Sequence, residues 1–448
     1  MTQSAATSPP VLVVGAGITG LSAAWLLCRL GHSVSIKEAG PDPGGLLAPV
    51  PFRGLPCDRG SHRIHPAAHP LLLELTESAN WQTQPRRGKL VLGGQHMAYP
   101  LQMMDFLRGL GPKTAAHMAA TFLVKPGARR GMKQWESDRA DVEDDIGFEA
   151  FVTSRVGRRA YQQFYAPYVE KVWGMHPSEI SQTVAKARVS TASPVSTIKK
   201  ALRPGQRDDA HFLYPSGGMA ELVDFFLTGL MTAGVDVEFD APVTQEDVAS
   251  WPGPVLFSGH LSHLAPSHGL EHRGLFILHI ALPKGTVGDT DTFYLPEAQF
   301  KFGRVSQPAR FSADFSDPDV DVLCAEVPQG RHADDMDFTE QADVIRSQLV
   351  EAGIIAPGVE LVEIQQTFCP RVYPVYTRGW LKRWRAALAE VAALGNVFPI
   401  GRQGLFLHCN VDQCVHIADA AVQHINSGGD SAAWAKTAEQ FLSLRVRD

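Results

Sequence analysis

The sequence predicts an α/β fold in which a parallel nucleotide-binding sheet is assembled from separate chain segments and is accompanied by a second domain. Three observations predict it. A glycine-rich strand-to-helix turn lies near the N-terminus, a strand-rich region covers about 276–363, and a strand and a helix return after Val397. At 448 residues the chain is longer than one compact core usually is, so two domains are expected.

The first element is a βαβ unit. The β-branched run Val11–Val14 predicts a strand that enters a glycine-rich turn directly. Helical spacing of apolar residues follows, and Gly31 stands where a helix C-terminus is expected. Val34–Lys37 then predicts a second strand, at the distance that a unit of about 30 residues requires.

The glycines of this turn have the spacing of a dinucleotide fingerprint. Gly15 permits the tight turn, Gly17 lets backbone N–H groups approach a pyrophosphate, and Gly20 lets the helix pack close to the sheet. The helix N-terminus offers unpaired N–H groups to the phosphates. Glu38 follows at the distance where an acid binds the adenosine ribose hydroxyls. A dinucleotide cofactor is therefore predicted.

The rest of the chain alternates helical and strand-like patterns. Helical spacing covers 148–171, and a second αβ passage comprises a helix at 222–230 and strands at 235–239 and 255–258. The strand-rich region indicates a mostly antiparallel sheet, with strands expected at 276–281, 300–305, 322–327 and 359–364 and a helix at 330–349. A strand at 397–400 and a helix at 415–425 follow.

Composition excludes several classes of protein. A net charge of −6 argues against a nucleic-acid-binding surface. The six cysteines contain no CxxC pair and indicate free thiols in a cytoplasmic protein. No apolar run is long enough to span a membrane, and the first ten residues are expected to be a disordered leader. The region 101–130 predicts one or two helices with a buried face, a membrane-surface helix being the alternative.

Further motifs resemble one superfamily over nearly the whole chain. They are Gly44-Gly45, Gly60-Ser-His62-Arg-Ile-His65, Lys171-Val-Trp173-Gly174, Tyr214-Pro-Ser-Gly217-Gly218 and the C-terminal stretch from Gly401-Arg402 to Asn410-Val-Asp412-Gln413. They resemble the FAD-dependent amine oxidase and protoporphyrinogen oxidase superfamily, and within it the UDP-galactopyranose mutase-like branch most closely. The resemblance implies noncovalent FAD, a Rossmann-like FAD-binding domain built from discontinuous segments, and a substrate domain of helices and an antiparallel sheet.

The resemblance also implies domain limits and a cofactor site. The FAD-binding domain is expected from residues 1–98, 205–265 and 392–448, and the substrate domain from 99–204 (helical) and 266–391 (sheet). Val243 is expected to meet the adenine through its backbone, and the loop 60–62 to run beside the isoalloxazine. The expected FAD contacts are Gly15, Ala16, Gly17, Thr19, Gly20, Glu38, Ala39, Gly44, Gly45, Leu46, Gly60, Ser61, His62, Val243, Gly401, Arg402, Val411, Asp412 and Gln413.

At the flavin end, Asp412 is expected as the N-cap, or the residue before the N-cap, of the helix at 415–425, whose positive end would stabilise reduced flavin. Arg402 and Asp412 are expected to hold the ribityl–phosphate region. The catalytic candidates are His62, which could move protons near physiological pH, and Arg304, for which no local acid partner is evident. Arg304 as a solvated surface residue is the alternative.

No metal site is predicted. His62, His65 and His69 have suggestive spacing, but Pro66 breaks any helix that would align them. The histidines at 260, 263, 268 and 272 are expected to be solvated loop residues.

Three functions follow from this sequence. The first is an FAD-dependent oxidoreductase that takes a hydride from a C–N or C–C bond of a small organic substrate in an interdomain cleft. The second is a redox-neutral flavoenzyme of the UDP-galactopyranose mutase type, and the third is a non-catalytic binding protein on the same fold. The sequence predicts no oligomeric state, no electron acceptor and no identity for the substrate.

Overall fold

The computed structural model describes residues 9–99, 145–158, 161–188, 210–330 and 336–446, with the backbone alone at 155–156, 163–164 and 186–188. Its strands in chain order are β1 Val11–Val14, β2 Val34–Lys37, β3 Val50–Phe52, β4 Leu55–Cys57, β5 Trp81–Pro85, β6 Gly88–Leu92, β7 Gln95–Tyr99, β8 His211–Pro215, β9 Asp236–Glu238, β10 Val255–Phe257, β11 His272–Pro283, β12 Thr292–Tyr294, β13 Arg304–Ser306, β14 Val320–Pro328, β15 Glu363–Pro374 and β16 Val397–Pro399.

The described helices are α1 Ile18–Arg29, α2 Pro70–Leu75, α3 Phe148–Val156, α4 Ala166–Trp173, α5 Gln182–Arg188, α6 Ala220–Thr232, α7 Gln245–Ser250, α8 Leu261–Leu264, α9 Ala342–Glu351, α10 Trp380–Ala392, α11 Gly401–Gly404, α12 Val411–Asn426 and α13 Ser431–Thr437. Within the described ranges, no helix has both the length and the apolar character needed to cross a bilayer. The helices expected at 101–130 lie outside the described residues.

The smaller of the two large sheets has five parallel strands in the order β16-β10-β1-β2-β9. All four residues of its central strand β1 are buried, as expected of a parallel strand covered on both faces. The predicted bounds of β1 and β2 are confirmed, and Gly31 has the left-handed conformation (φ +83°) after α1. Strands from all three expected segments meet here, so the sheet closes only when distant parts of the chain come together.

The larger sheet has the order β15-β11-β14-β13-β12-β6-β7 and is antiparallel except where β12 pairs with β6. The α/β fold class, with a Rossmann-like domain and a mostly antiparallel second sheet, is therefore confirmed. Strands β6 and β7 belong to this larger sheet although they fall inside the segment 1–98. Strand β5 pairs instead with β8, outside both large sheets.

Several predicted bounds need correction. The strand expected at 300–305 is Arg304–Ser306. Phe300 and Phe302 lie in a turn and are both buried, which gives the alternating pattern of a strand without strand pairing. The strand expected at 359–364 begins at Glu363 and runs to Pro374, since Gly358 (φ +88°) and the turn after it precede the pairing. The helix expected at 330–349 is α9, and 331–335 lie outside the described residues.

Two of the hydrophobic clusters in the described residues form the main cores of the two large sheets. The larger core surrounds the parallel sheet, where α1 packs against α6 and α12. The second core lies behind the larger sheet and includes the α9 residues Ile345 and Leu349, both fully buried. The strand ends of the parallel sheet, from which ligands are usually bound, consequently stand on a rigid base.

Candidate functional site

The turn after β1 requires glycine for two different steric reasons. Gly15 has φ +98°, and a Cβ there would lie 2.4 Å from Oγ of Ser258. At Gly20 a Cβ would lie 1.9 Å from the carbonyl oxygen of Gly15, so α1 can approach the turn only without a side chain. The expected roles of both glycines in the tight turn and in close packing are visible in these distances.

Gly17 differs from Gly15 and Gly20 because a Cβ there would clash with no other atom. The nearest atom to a Cβ placed on Gly17 is the carbonyl oxygen of Gly44, 3.9 Å away. Gly17 is also the N-cap of α1, where no side chain caps the helix and the first turn carries no acid. The N–H groups of this turn are therefore available to an anionic ligand, which the helix dipole favours.

Gly44 and Gly45 lie opposite the turn at Gly15–Gly20. The two segments together form a glycine cradle at the N-terminus of α1. Gly44 N donates to Ala16 O at 2.8 Å, and Gly44 has φ +105°. Gly45 (φ +57°) begins a short 3₁₀ turn that includes Leu46, and Arg59 Nη1 donates to Gly45 O at 3.2 Å. Residues that are far from the first turn in sequence thus complete the cradle.

Glu38 holds the adjoining backbone. Its Oε2 accepts from Ala16 N at 2.7 Å and its Oε1 from Gly40 N at 2.9 Å, with Ala39 between. The backbone oxygen of Glu38 accepts from Ala241 N at 2.8 Å, which brings the loop that contains Val243 to the same end of the sheet. The residues expected around the adenosine are therefore neighbours.

The loop 60–62 is tied to the larger sheet by one carboxylate. Glu326 Oε1 accepts from Ser61 N at 2.8 Å and from Ser61 Oγ at 2.9 Å. Arg304 donates to the same carboxylate through two nitrogens, at 2.8 and 2.7 Å. Arg304, which has no acid partner nearby in the sequence, has a distant one, because β13 and β14 place Glu326 directly opposite it. Gly60, at φ +110°, packs on that carboxylate.

His62 extends from this loop with Nδ1 buried and without a hydrogen-bond partner among the described residues. Burial lowers the pKa of His62 to about 4, while Glu326 raises it and Arg304 and Arg402 lower it further. The imidazole is therefore neutral at pH 7. The expected titration near physiological pH is corrected accordingly, because desolvation outweighs the nearby carboxylate.

The C-terminal motif contacts the first turn directly. Gly401 has φ +70°, and a Cβ there would lie 2.3 Å from Oγ1 of Thr19. Arg402 donates to the carbonyl oxygens of Val372 (3.1 and 2.9 Å) and Cys409 (2.8 Å). Its observed partners are thus backbone carbonyls, and through them Arg402 holds the loop before α12.

That helix begins four residues earlier than expected. Its first residue is Val411 and its N-cap is Asn410, whose N–H donates to Gln413 Oε1 at 3.0 Å. Asp412 is therefore inside the first turn and is not the N-cap. Its Oδ2 accepts from His69 N at 2.8 Å, so the carboxylate connects the helix to the segment before α2.

The histidine clusters also have specific surroundings. His65 Nδ1 accepts from Ala67 N at 3.0 Å, and His69 stacks on His416 at 4.3 Å between ring centroids. The described parts of the chain contain no group of His, Cys, Asp or Glu residues arranged to hold a metal ion. The interpretation of 260–272 as solvated is wrong in part: burial lowers the pKa of His260 to about 3 and that of His272 to about 4.

Sequence reasoning missed two buried polar groups near this site. Glu326 is one, although an acid inside the apolar run Val320–Pro328 is a usable signal. The other is Asp58, whose carboxylate accepts from Tyr214 Oη at 2.6 Å and from Met219 N at 3.1 Å. Burial raises the pKa of Asp58 to about 7. Both carboxyls flank the loop 60–62 and depend on partners that are distant in sequence.

The fold and the glycine-rich turn together define an α/β protein with a Rossmann-type domain. The model of the flavin containing amine oxidoreductase family matches residues 18–246, about half of the chain. The chain therefore belongs to the flavin containing amine oxidoreductase family. Membership implies a flavin cofactor.

Individual relatives agree with this family. A protein of Mycobacterium tuberculosis assigned as a flavin-containing monoamine oxidase, AofH, is 27% identical over 220 residues, which are 46% of this chain and 46% of that protein. Coproporphyrinogen III oxidase of Propionibacterium freudenreichii is 26% identical over 47% of this chain and 38% of its own length. The chain thus matches about half the length of these curated relatives, or less.

Solved structures match over nearly the whole chain. Reduced UDP-galactopyranose mutase is similar with a TM-score of 0.78 and 17% identity, covering 97% of this chain and 96% of that one. Cyclohexylamine oxidase from Brevibacterium oxydans is similar with a TM-score of 0.65 and 16% identity, covering 94% and 100%. At identities this low, the TM-scores establish a shared fold alone.

The residues present fit a flavin dinucleotide. Gly17 leaves room at an uncapped helix N-terminus, and Glu38 provides a carboxylate at the neighbouring strand end. A second helix N-terminus, that of α12, carries the largely buried Asp412. Such a series of a carboxylate and two helix N-termini suits a ligand with a ribose, a diphosphate and a ring that gains negative charge.

Proposed function

We propose that this protein is an FAD-dependent oxidoreductase that takes a hydride from a C–N or C–C bond of a small organic substrate between its two domains. The observation that carries the proposal is the uncapped N-terminus of α1 beside Glu38 in a flavin-family chain, where a Cβ on Gly17 would meet nothing closer than 3.9 Å. When bound, FAD supplies a two-electron acceptor. The residues of the chain bind and orient the reactants.

The adenosine and diphosphate end has clear candidates. Glu38 would exchange part of its present backbone hydrogen bonding for the ribose hydroxyls, and the first turn of α1 would bind the diphosphate. Gly44 and Gly45 support a ligand that extends beyond one mononucleotide, because they continue the cradle away from β1. These features favour FAD over a shorter flavin nucleotide.

The reaction end would be arranged around the loop 60–62. Glu326 restrains Ser61 through two hydrogen bonds and is itself held by Arg304, so the loop is stiff before any ligand binds. His62 is neutral at pH 7 and its Nδ1 is unpaired among the described residues. We assign His62 a hydrogen bond to the substrate or cofactor, and Arg304 a positioning role through Glu326.

The proposal is tested with the purified protein. Denaturation should release FAD, identified by mass spectrometry against FMN. Anaerobic addition of primary amines and cyclic substrates should then bleach the visible flavin band for at least one class, and admission of oxygen should restore it. If the protein binds FAD but its flavin stays oxidised with every class of donor, the proposal of an oxidoreductase is overturned.

The same preparation separates the alternatives. Turnover of a nucleotide sugar that needs prior flavin reduction but consumes no further reductant would indicate a redox-neutral mutase. A colourless protein that cannot be reconstituted with FAD would indicate a binding protein on this fold.

A further inference from the structure

Two cysteines lie together at the N-terminus of α12. Cys409 precedes the N-cap and Cys414 is in the first turn, and their Sγ atoms are 3.5 Å apart. Both are buried, with exposed fractions of 3% and 5%, and both are free thiols. The spacing is not CxxC, so sequence inspection does not identify them as a pair.

The surroundings favour the thiolate of Cys414. The hydrogen bond between the two sulfurs, together with Thr19 and Arg402, lowers the pKa of Cys414 despite its burial. The pKa of Cys409 is raised well above its ordinary value by the same hydrogen bond and by burial. Cys414 is thus the nucleophile and Cys409 the thiol that follows.

We propose that Cys409 and Cys414 form an oxidisable dithiol site that small peroxides close to an intramolecular disulfide. The inference goes beyond the proposed function and does not depend on which substrate is oxidised. Hydrogen peroxide suits the site because it is little larger than water, whereas the burial of both sulfurs excludes oxidised glutathione. It is also the product when oxygen reoxidises a flavin.

The chemistry balances in two steps. The Cys414 sulfur attacks one peroxide oxygen, the O–O bond breaks, and Cys414 becomes a sulfenic acid while one water leaves. The Cys409 sulfur then attacks the Cys414 sulfur, the S–O bond breaks, and a second water leaves with the Cys409 proton. Two thiols lose two electrons, and one peroxide becomes two waters.

The location gives the disulfide a structural consequence. Cys414 is hydrogen-bonded to Thr19, which lies in the first turn of α1, and Arg402 is bonded to the carbonyl of Cys409. Disulfide formation would draw the two sulfurs together from 3.5 Å and remove the thiolate with which Thr19 forms its hydrogen bond. Oxidation should therefore alter the contact between the helix N-termini of α1 and α12.

Peptide mapping of the full-length protein tests the proposal. The native protein is treated with hydrogen peroxide, then unfolded in excess N-ethylmaleimide and digested with trypsin without reductant. Residues 403–436 form one tryptic peptide that contains both cysteines. We expect this peptide to be unlabelled and lighter by two hydrogen atoms than its reduced form, and dithiothreitol should restore it.

Controls make the result specific. Cys28→Ser, a change at a half-buried cysteine of α1, should leave the disulfide unchanged. Cys409→Ser should instead leave a sulfenic acid on Cys414 that reacts with dimedone. Oxidised glutathione at the same concentration should produce at least tenfold less disulfide. The proposal is overturned if both cysteines of the peroxide-treated wild type are labelled by maleimide, or if either is joined to another cysteine. This outcome does not require the variants to fold.

Discussion

Arg304 and Glu326 face each other on neighbouring strands, and their paired hydrogen bonds of 2.8 and 2.7 Å fix the carboxylate that holds Ser61. Glu326 is nearly buried, with a side-chain exposure of 5%, and Arg304 has 26%. A carboxylate so placed is stable only because all of its donors are present. The loop 60–62 consequently depends on a residue that is far away in sequence.

Glu326→Gln should destabilise the protein by about 2–4 kcal/mol, because it removes the charge that Arg304 requires and weakens one acceptor for Ser61. Urea unfolding of the protein without cofactor measures this. Glu363→Gln, at an exposed acid on β15 that pairs with Arg53, should leave the unfolding midpoint unchanged. Equal midpoints for wild type and Glu326→Gln would show that the carboxylate does not restrain the loop.

Replacing the glycines one at a time separates effects on FAD binding from effects on the stability of the fold. Gly17→Ala should leave the free energy of unfolding of the cofactor-free protein nearly unchanged, since the new Cβ meets nothing closer than 3.9 Å. It should weaken FAD binding by roughly tenfold or more, equivalent to about 1.4 kcal/mol, because the methyl group enters the cradle. Fluorescence titration with FAD measures the dissociation constant.

Two matched glycines are the controls for that experiment. Gly20→Ala places a Cβ 1.9 Å from the oxygen of Gly15 and should lower the yield of folded protein. Gly288→Ala, where a Cβ meets nothing within 4 Å, should change neither folding nor binding. Unaltered FAD affinity in Gly17→Ala would place the dinucleotide elsewhere.

Asp58 should make stability fall as the pH rises. Burial raises its pKa from 3.8 to about 7 in the folded protein, so between these values the folded state retains a proton that the unfolded state releases. The free energy of unfolding therefore decreases through this window and stays lower above it. Asp58→Asn keeps partners for Tyr214 and Met219 but cannot ionise.

The difference in stability between Asp58→Asn and wild type should grow by roughly 2–4 kcal/mol from pH 4 to pH 7.5. Denaturant unfolding at several pH values measures it. The difference isolates Asp58 from the neighbouring Cys57, Tyr214, Cys324 and His279, which are the same in both proteins. Asp236→Asn, at an exposed carboxylate, should give no such trend. Parallel curves for Asp58→Asn and wild type would refute a raised pKa.

The contribution of His62 to the free energy of unfolding has the opposite pH dependence to that of Asp58. Its pKa falls from 6.5 to about 4 in the folded protein, so the unfolded state binds the proton first and stability is lost as the pH falls through this range. Proton NMR should show the ring of His62 titrating below pH 5, with the resonance assigned by its absence in His62→Gln. A midpoint near 6.5 would restore the histidine as a candidate proton carrier at physiological pH.

Local features of the site could be predicted from sequence, and distant pairings could not. The positions of β1, α1 and Glu38 follow from consecutive residues, because a strand, a glycine turn and a helix have fixed spacing. The bond between Arg304 and Glu326 depends on strand register, which no short segment encodes. The thiol pair was missed because α12 starts at Val411 and not at 415.

The order of strands in the parallel sheet has a consequence for biosynthesis. β1 emerges first from the ribosome, yet its neighbour β10 lies far downstream and the outer strand β16 follows much later. Contacts between such distant segments close slowly. Since Gly401 and Asp412 come after β16, a nascent chain cannot assemble the complete candidate cofactor site until α12 has been synthesised. Capture of the cofactor should accordingly follow the synthesis of α12.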